Sequence, residues 1–243
     1  WQKIEGKWYY FEGGGVMQTG WQWISDGKYF FDGNGALMGE STCKKVIDVD
    51  EFNGKIDWAT VHTQADIDGA ILRITGHPKS LGYYREDLQF ANNLANCRKY
   101  NIPFGVYIYD YAQSYQDAID EADLVVSILH KYNVSPSELS FSIYFDMERP
   151  NIPLNQNITY ANAFISRINA LGYSANIYGY KSMLEGNLNS PIILKNVNWM
   201  ARYSNSIGWV NPYYSGSFGW QYTSNGVIPG VNGDCDISCW YTI

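Results

Sequence analysis

The stretch SIYFDMERP, residues 142–150, contains the feature that decides the fold. An apolar run typical of a β-strand ends in Asp146, and Met147 separates this acid from Glu148. Pro150 then stops the strand, because proline has no N–H to donate to a sheet ladder. Residues i and i+2 of a strand share one face, with Cα atoms about 6.5 to 7 Å apart. The two carboxylates are therefore expected to project together from the end of a buried strand.

Seven further runs of β-forming residues accompany this strand between Cys43 and the C-terminus. The eight expected strands are 46–49, 70–74, 104–109, 141–145, 175–178, 198–203, 218–223 and 236–241. Helical periodicity covers 87–100, 117–132 and 159–171, and Thr159 is a capping-type residue at the start of the third helix. Strands that alternate with helices predict an α/β fold, here a (β/α) barrel.

The spacing of these runs predicts an irregular barrel. The early strands begin roughly 24 to 37 residues apart, whereas the last few begin only about 18 to 23 residues apart. A helical crossover between parallel strands needs about a dozen residues in addition to its connections. We therefore expect the barrel to lack its last helices.

Four acids are expected at one end of this barrel, because reactive groups gather at the C-terminal mouth of such folds. Asp48 closes the first strand, and Asp146 and Glu148 close the fourth. Asp236 begins the eighth strand, so it reaches the mouth only if that strand runs antiparallel, which the short final connection permits. Two close carboxyl groups raise the pKa of one of them toward neutrality, which suits a general acid beside an ionised partner.

Length and composition narrow the class of protein. The chain of 243 residues holds one large α/β domain together with a small module. Its net charge of −7 and unclustered basic residues argue against a nucleic-acid partner. No apolar stretch approaches the ~20 residues of a membrane span. An aromatic share of 16% supplies flat rings that stack on sugar faces, so carbohydrate binding is one interpretation and core packing is the other.

The four cysteines are Cys43, Cys97, Cys235 and Cys239, and no two of them form a CxxC pair. The three histidines lie far apart in the sequence, so neither a metal site nor a cofactor is expected. An even count fits two disulfides in an oxidising compartment, and reduced core thiols are the alternative. An antiparallel eighth strand would set Cys239 near the depth of Cys43, which predicts a Cys43–Cys239 bridge.

The first forty residues contain an internal repeat. The segment WQKIEGKWYYFEGGGVMQTG, residues 1–20, is followed by WQWISDGKYFFDGNGALMGE, residues 21–40. Each copy combines aromatic strands with glycine-bearing turns, which is typical of tandem β-hairpins. One hairpin is marginally stable alone, so such units need neighbours that bury their faces. The sequence therefore divides into a hairpin module at 1–40 and a barrel at 41–243.

This module resembles the cell-wall-binding repeats of choline-binding proteins, whose pattern is GW…GKWYYF…G.M.TG. The resemblance implies aromatic cages for a quaternary ammonium group, held by cation–π attraction. Trp8, Trp21 and Tyr29 occupy the cage positions, although Tyr29 and Phe30 stand where the family more often has Trp and Tyr. Choline or another wall polymer is the partner that this implies. Packing, or wall association without choline, is the alternative.

The barrel resembles the lysozymes of glycoside hydrolase family 25. Four stretches carry the resemblance in the family's order: VIDVDEFNGKIDW, YFDMERP, WMARY and WQYTSNGVIPGVNGDCDI. The family fold is an irregular barrel that lacks its last helices and has an antiparallel eighth strand. The resemblance implies an N-acetylmuramidase that cleaves the β-1,4 bond between N-acetylmuramic acid and N-acetylglucosamine in bacterial peptidoglycan. It also implies a protein secreted to the bacterial cell wall, or encoded by a phage and acting on that wall.

The resemblance further implies roles for the four acids. Glu148 would be the general acid that protonates the glycosidic oxygen. Asp146 would orient the substrate acetamido group or stabilise charge at the anomeric carbon. Asp48 and Asp236 would line the same cleft, where they hold substrate or tune Glu148. We favour retention assisted by the acetamido group, while a covalent glycosyl-enzyme and inversion stay open because four acids leave the reacting pair ambiguous.

Aromatic and basic residues near the strand ends are candidates for binding sugar, with barrel packing or a structural salt bridge as the alternative. They are Tyr107, Tyr109, Tyr178, Trp199, Tyr203, Trp220 and Arg73. Strand parity places Tyr107 and Tyr109 on one face and turns Ile108 outward to the helices. Two departures from the family pattern bear on pH optimum or substrate preference. Asp50 stands where Ser is frequent, and Ile108 stands where His is common.

Two other functions compete with this interpretation. A catalytically silent wall-binding or surface protein would use the cleft only to hold glycan, and the presence of all four acids weighs against it. A chitinase-like barrel also ends a strand in D.E, within the motif DxxDxDxE. Here Phe141 and Tyr144 occupy the positions of its first two acids, which argues against that class.

Overall fold

The N-terminal repeats form small antiparallel sheets. The structure is a computed structural model that describes residues 1–24, 27–31, 34–37, 44–76, 85–204, 211, 213–214 and 216–242. Strands β1 (Gln2–Ile4) and β2 (Lys7–Tyr9) pair as one hairpin, and β3 (Gly20–Ile24) and β4 (Gly27–Phe31) pair as a second. The predicted tandem hairpins are therefore confirmed.

The turn of the first hairpin explains one feature of its sequence. Ile4 pairs with Lys7, so only two residues connect the strands. These are Glu5 and Gly6, whose φ angles are 49° and 84°. Positive φ at both central positions is the geometry of the two-residue turns that match the right-handed twist of a hairpin, and glycine adopts it without a steric penalty.

Eight strands form a closed barrel in the second part of the chain. The barrel strands are β5 (Lys44–Val49), β6 (Gly69–Arg73), β7 (Phe104–Tyr109), β8 (Ile143–Asp146), β9 (Ala175–Tyr180), β10 (Val197–Ala201), β11 (Ser217–Gly226) and β12 (Cys235–Thr242). The helices are α1 (Trp58–Gln64), α2 (Phe90–Tyr100), α3 (Tyr115–Lys131), α4 (Leu154–Ala170), α5 (Lys181–Leu184) and α6 (Pro191–Leu194). Short 3-10 turns occupy Glu51–Asn53 and Pro136–Glu138.

The strand directions confirm the predicted irregular barrel. Strands β5 to β11 pair in parallel around the barrel, whereas β12 is antiparallel to both of its neighbours, β11 and β5. The helices also become shorter along the chain, since α5 and α6 have only four residues each. In the part of the chain that the structure describes, no helix follows β10. The close spacing of the last strands leaves no room for a full crossover helix.

Alternation along each strand separates the barrel interior from the outer core. On β7, Val106 and Ile108 pack outward into the large cluster beneath the helices, while Tyr107 lies against the interior cluster. On β8, Phe145 packs outward and stacks on Phe164 of α4 with ring centroids 4.2 Å apart. Because successive strand side chains point to opposite faces, every second residue of a barrel strand faces the interior. The prediction that Ile108 looks outward is therefore confirmed.

Aromatic rings fill the interior below the mouth. Trp199 contacts Tyr144 and Trp240 with ring centroids 5.0 Å and 6.0 Å apart, and these three side chains are buried. Gly219 makes room for Trp240, because a Cβ at this position would overlap the ring of Trp240. We call Tyr144, Trp199 and Trp240 the aromatic floor. It excludes water from beneath any group at the mouth.

One predicted helix starts earlier than its sequence indicates. Helix α4 begins at Leu154, directly after Pro153, and Thr159 lies inside it with its hydroxyl donating to the Asn155 carbonyl at 2.9 Å. The interpretation of Thr159 as a cap is therefore wrong. The side chain of Asn157 donates to the carbonyls of Ile152 (3.2 Å) and Asn187 (3.0 Å), which fixes the additional turn.

The cysteines do not form two disulfides. Cys97 and Cys235 are free and buried, and burial raises the pKa of both thiols. Cys239 is disulfide-bonded. Cys43 lies outside the described residues, so the Cys43–Cys239 bridge stays a prediction. The free thiols correct the expectation of two bridges, because both sit in apolar surroundings where a reduced cysteine packs as a small hydrophobe.

Candidate active site

A cavity of about 190 Å³ opens at the mouth of the barrel, where the parallel strands end. Its lining comes from β5 to β12 and the loops that follow them. The lining residues are Asp48, Asp50, Arg73, Tyr107, Tyr109, Asp146, Glu148, Tyr178, Tyr180, Trp199, Tyr203, Gln221 and Asp236. All four predicted acids lie in this one cavity.

The antiparallel direction of β12 brings the first and last acids together. Asp236 is the register partner of Asp48 on the neighbouring strand β5. Burial raises the pKa of Asp48 well above its ordinary value, and the charge of Asp236 raises it further. Burial also raises the pKa of Asp236, to about 6, although its hydrogen bond with Asp48 opposes the shift. These two carboxyl groups therefore do not ionise independently.

Asp146 and Glu148 approach the same cavity from the end of β8. Asp146 is buried, and burial together with the charge of Glu148 raises its pKa well above the ordinary value, while Arg73 lowers it. Burial raises the pKa of Glu148 to about 7, the Tyr178 hydroxyl lowers it, and the charge of Asp236 raises it. Among the described residues, Asp146 Oδ1 and Glu148 Oε1 have no hydrogen-bond partner. Each acid therefore keeps one buried oxygen whose hydrogen-bonding capacity is unused by the described residues.

A hydrogen-bonded chain joins opposite sides of the mouth. Gln221 Nε2 donates to both oxygens of Asp48, at 3.2 Å and 3.1 Å. Gln221 Oε1 accepts from the hydroxyls of Tyr178 (2.7 Å) and Tyr203 (3.1 Å). The Tyr203 hydroxyl also lies 3.1 Å from that of Tyr180. This chain fixes the position of Asp48 and the orientation of three tyrosines at the cavity wall.

Arg73 provides positive charge among these acids. It is buried at the end of β6, and its Nη1 atom lies 3.2 Å from Asp50 Oδ2. Asp50 is itself held in place, because its carboxylate accepts from the Phe52 N–H at 2.7 Å. The pairing anchors Arg73 in the cavity, where its positive charge lowers the pKa of Asp146.

The structure places most predicted aromatic residues on the cavity wall. Tyr107 and Tyr109 lie at the end of β7, and Tyr109 is the register partner of Asp146. Tyr178 is the partner of Asp146 on the other side. Trp199 forms the bottom of the cavity, and Tyr203 is 45% exposed at its edge. These rings frame Asp146 on both sides.

Trp220 does not face the cavity, which corrects its prediction as a sugar-binding residue. It is buried in the outer core, where its ring lies 5.8 Å from that of Tyr222 and its Nε1 donates to the Arg202 carbonyl at 2.9 Å. The neighbouring residue Gln221 faces inward instead. Strand parity allows only one of the two to point into the barrel.

Gln221 and Tyr180 are cavity residues that the sequence did not single out. A parity rule would have found Tyr180, because Tyr178 two residues earlier shares its face. The signal for Gln221 was weaker. A polar residue between two aromatics on a barrel strand indicates an inward-facing hydrogen-bonding group only when the register is known.

No metal-binding arrangement accompanies the acids in the part of the chain that the structure describes. Within those residues, no group of three or more His, Cys, Asp or Glu side chains is placed to hold a metal ion. Likewise, no described helix combines the length and apolar character needed to cross a bilayer.

The predicted choline-binding residues lie on the hairpin repeats. Trp8 is 45% exposed, and Lys3 Nζ lies 5.7 Å from the centroid of its ring. Tyr29 contacts Trp1, a residue not predicted, with ring centroids 4.8 Å apart. The side chain of Trp21 lies outside the described residues. The ammonium group of Lys3 thus already lies over the ring of Trp8 in a cation–π arrangement.

A comparison with known protein families identifies the family to which the barrel belongs. The model described as "Glycosyl hydrolases family 25" matches residues 47–231, which include Asp48, Asp146 and Glu148. The chain belongs to glycosyl hydrolases family 25. A second model, described as "Choline-binding repeat", matches residues 1–40. No curated protein sequence matches the chain.

Solved structures agree with this membership of family 25. The modular autolysin LytC from Streptococcus pneumoniae is 32% identical to the chain, and its structure superposes with a TM-score of 0.74. The structure of LytC in complex with a synthetic peptidoglycan ligand has a TM-score of 0.76. Both alignments cover 99% of this chain but 66% of LytC, so the chain spans just under two thirds of the length of that relative. The bacterial lysozyme from Streptomyces coelicolor is 22% identical over 81% of this chain and 91% of its own, with a TM-score of 0.64, and shares the fold.

Proposed function

We propose that this family 25 protein is a muramidase that cleaves the β-1,4 bond between N-acetylmuramic acid and N-acetylglucosamine in peptidoglycan. One observation carries the proposal: the structure brings Asp48, Asp146, Glu148 and Asp236 into a single cavity at the barrel mouth. Membership of family 25 supports the same reaction class. The complex of LytC with a synthetic peptidoglycan ligand supports the substrate class.

Glu148 is the general acid of the proposed reaction. Burial raises its pKa to about 7, so it holds a proton under mildly acidic to neutral conditions. It donates this proton to the glycosidic oxygen as the bond between that oxygen and the anomeric carbon breaks. A carboxylic acid with a raised pKa beside a second carboxyl group is the arrangement that glycosidases use for this step.

Asp146 stabilises the other side of the breaking bond. Burial and the charge of Glu148 raise its pKa well above the ordinary value, and Arg73 opposes this rise. Asp146 orients the acetamido group of the substrate, and its carboxyl oxygens stabilise the positive charge that develops at the anomeric carbon. The favoured outcome is retention with acetamido assistance, and water then completes hydrolysis with Glu148 acting as the base.

The cavity walls hold the sugar rings. Tyr107, Tyr109 and Tyr178 present flat faces and hydroxyls on either side of Asp146. Aromatic rings bind the apolar faces of sugars, and their hydroxyls donate to substrate oxygens. Trp199 supports the buried end of the site from below, and Tyr203 contacts the substrate at the exposed edge. Arg73 contacts the substrate from its buried position.

The hairpin repeats attach the enzyme to the wall. Their match to a choline-binding repeat and the exposed ring of Trp8 support binding of a quaternary ammonium group by cation–π attraction. With Trp21 and Tyr29 as further ring residues, the repeats would concentrate the enzyme on choline-bearing walls. The proposed location is the bacterial cell wall, reached by secretion or by release of a phage-encoded enzyme.

Analysis of the reducing-end sugar after digestion of purified peptidoglycan tests the proposed bond. Mass spectrometry of the borohydride-reduced fragments should find reduced muramic acid in the wild-type digest, and the Glu148→Gln variant should release these fragments at least about 100-fold more slowly. Reduced glucosamine would mean that another bond is cut and would overturn the proposal. Wall binding without any fragment release by the wild type would favour the silent glycan-binding alternative.

A further inference from the structure

The residue after Glu148 makes an ion pair that the reaction proposed above does not use. Arg149 Nε and Nη2 lie 3.1 Å and 2.9 Å from Asp110 Oδ2, and Nη2 also donates to the Ala112 carbonyl. Asp110 is 1% exposed and directly follows β7. Its other oxygen, Oδ1, accepts from the Ala112 N–H at 2.9 Å. Arg149 therefore ties the loop after β8 to the loop after β7.

Within the described residues, backbone hydrogen bonds hold the chain as far as the residue before Glu148. The Asp110 N–H donates to the Asp146 carbonyl at 2.9 Å, and the Met147 N–H donates to the Tyr178 carbonyl at 3.0 Å. Strand β8 stops at Asp146. The Tyr178 hydroxyl contacts the Glu148 side chain, and the following residue is anchored by the Arg149 ion pair. The Arg149 guanidinium also lies 5.7 Å from the centroid of the Tyr160 ring on α4.

We infer that the Asp110–Arg149 ion pair is a positioning device that fixes the location of Glu148 over the substrate bond. Arg149 is not among the cavity-lining residues, so it acts through its neighbour Glu148 and not by contact with substrate. A two-contact arginine–carboxylate pair fixes direction as well as distance, which a lysine cannot do. This inference rests on the proposed role of Glu148 as the general acid.

Three variants test the positioning role on a soluble, uncrosslinked glycan fragment of peptidoglycan. Asp110→Asn removes the charge with little change of shape, Arg149→Gln removes the opposite charge, and Arg149→Lys keeps charge but loses the fork. We expect kcat to fall about 10- to 100-fold in the first two, with KM changed less than about twofold, because a displacement of about 1 Å is enough for such a loss. Arg149→Lys should recover part of the rate.

The pH profile distinguishes a displacement of Glu148 from a purely electrostatic effect of the substituted charges on Glu148. Glu148 also faces Tyr109, Asp146, Tyr178, Tyr180 and Asp236, and none of these residues is altered in the variants. A released Glu148 becomes better hydrated, so its pKa falls and the basic limb of the profile moves to lower pH in both Asp110→Asn and Arg149→Gln. A purely electrostatic effect would move the limb in opposite directions, because the two changes remove charges of opposite sign.

The Arg98–Glu138 pair is the matched control. It is also a two-contact arginine–carboxylate pair, here with one contact to each carboxylate oxygen, at Nε–Oε1 and Nη2–Oε2 distances of 2.6 Å and 2.9 Å. It lies before the start of β8, at the other end of the barrel. Arg98→Gln should leave kcat and the pH profile at wild-type values. Circular dichroism at the assay temperature reports the folded fraction of every variant, and rates are expressed per folded molecule.

The outcomes separate this inference from the proposed function. Wild-type kcat and pH profile in folded Asp110→Asn and Arg149→Gln would overturn the positioning role. Should Asp110→Asn not fold, a folded Arg149→Lys with full kcat would overturn it as well. Wild-type activity in Glu148→Gln would instead overturn the proposed function. In the inactive Glu148→Gln background, Asp110→Asn should cause no further loss of residual rate, because the two residues act as one unit.

Discussion

Asp48 and Asp236 lie directly opposite each other on the antiparallel strands β5 and β12, one near the start of the barrel and the other near the end of the chain. Gln221 donates to both oxygens of Asp48, and the charge of Asp236 raises the pKa of Glu148. The final strand therefore contributes directly to the electrostatics of the proposed acid. In an all-parallel barrel the start of the last strand would lie at the opposite end of the barrel, and Asp236 would be far from Glu148.

Replacing Asp236 by Asn should move the basic limb of the kcat/KM profile to lower pH. The neutral amide no longer repels the charge on ionised Glu148, so Glu148 loses its proton more easily and its pKa falls from about 7. The measurement is the pH dependence of kcat/KM on soluble peptidoglycan. Asp234→Asn, an exposed change two residues away, is the control and should leave the limb in place. A shift to higher pH in Asp236→Asn would contradict the assignment.

Replacing Arg73 by Met should move the acidic limb to higher pH. Arg73 lowers the pKa of Asp146, so the loss of Arg73 raises that pKa. A higher pH is then needed to ionise Asp146. We expect the loss of kcat to be largest on the acidic side of the profile and to shrink as pH rises and the Asp146 proton is released. Arg73→Lys keeps the positive charge and should hold the limb near its wild-type position. An unchanged acidic limb in Arg73→Met would show that Asp146 need not ionise.

The raised pKa of Glu148 should lower the free energy of unfolding at alkaline pH. The pKa of Glu148 is about 7 in the folded protein and near 4.5 when the chain is unfolded, so its contribution to stability is complete below about pH 4.5 and is lost as pH rises through 7. Glu148→Gln removes this loss and should raise the free energy of unfolding by about 2 kcal/mol more at pH 8 than at pH 5.

Thermal unfolding followed by circular dichroism at the two pH values measures this difference. A change of about 2 kcal/mol corresponds to about 4 to 8 °C in the midpoint for a chain of this size. Glu12→Gln, on the exposed surface of the repeats, is the control and should shift both midpoints equally. A Glu148→Gln variant that is no more stabilised at pH 8 than at pH 5 would mean that the Glu148 pKa is not raised.

Trp8→Ala should weaken retention of the protein on choline-bearing resin. An exposed ring contributes about 0.5 to 1 kcal/mol to a cation–π contact, which lowers affinity about two- to fivefold per site. The choline concentration that elutes each variant is the measurement. Tyr213→Ala removes an aromatic ring of similar exposure from the barrel part of the chain and is the control. Equal elution of wild type and Trp8→Ala would remove Trp8 from the binding surface.

Much of the fold can be predicted from the sequence because the barrel strands are short apolar runs. Period-two alternation identified the inward face of Tyr107 and Tyr109, and the position of Asp236 at the start of a strand required an antiparallel final strand. Local patterns fixed these features without knowledge of neighbouring strands.

The side-chain contacts at the mouth depend on register between distant strands, which local patterns do not contain. Gln221 reaches Asp48 across 173 residues of sequence, and its inward position is set by a pairing with β12 that becomes irregular just beyond it. The sequence indicates Trp220 as a sugar-binding residue because aromatic rings stack on sugar faces. A correct choice between Trp220 and Gln221 needs the parity of β11, which the pairing of Trp220 with Cys239 establishes.

Peptidoglycan hydrolysis by Glu148→Gln tests the central claim most directly. The glutamine keeps the shape of the side chain but has no proton to donate, so kcat/KM should fall about 10²- to 10⁴-fold while binding to insoluble walls is retained. Release of reducing ends from purified walls, measured on folded protein, gives the rate. A Glu148→Gln variant that releases reducing ends at the wild-type rate would show that this glutamate is not the acid.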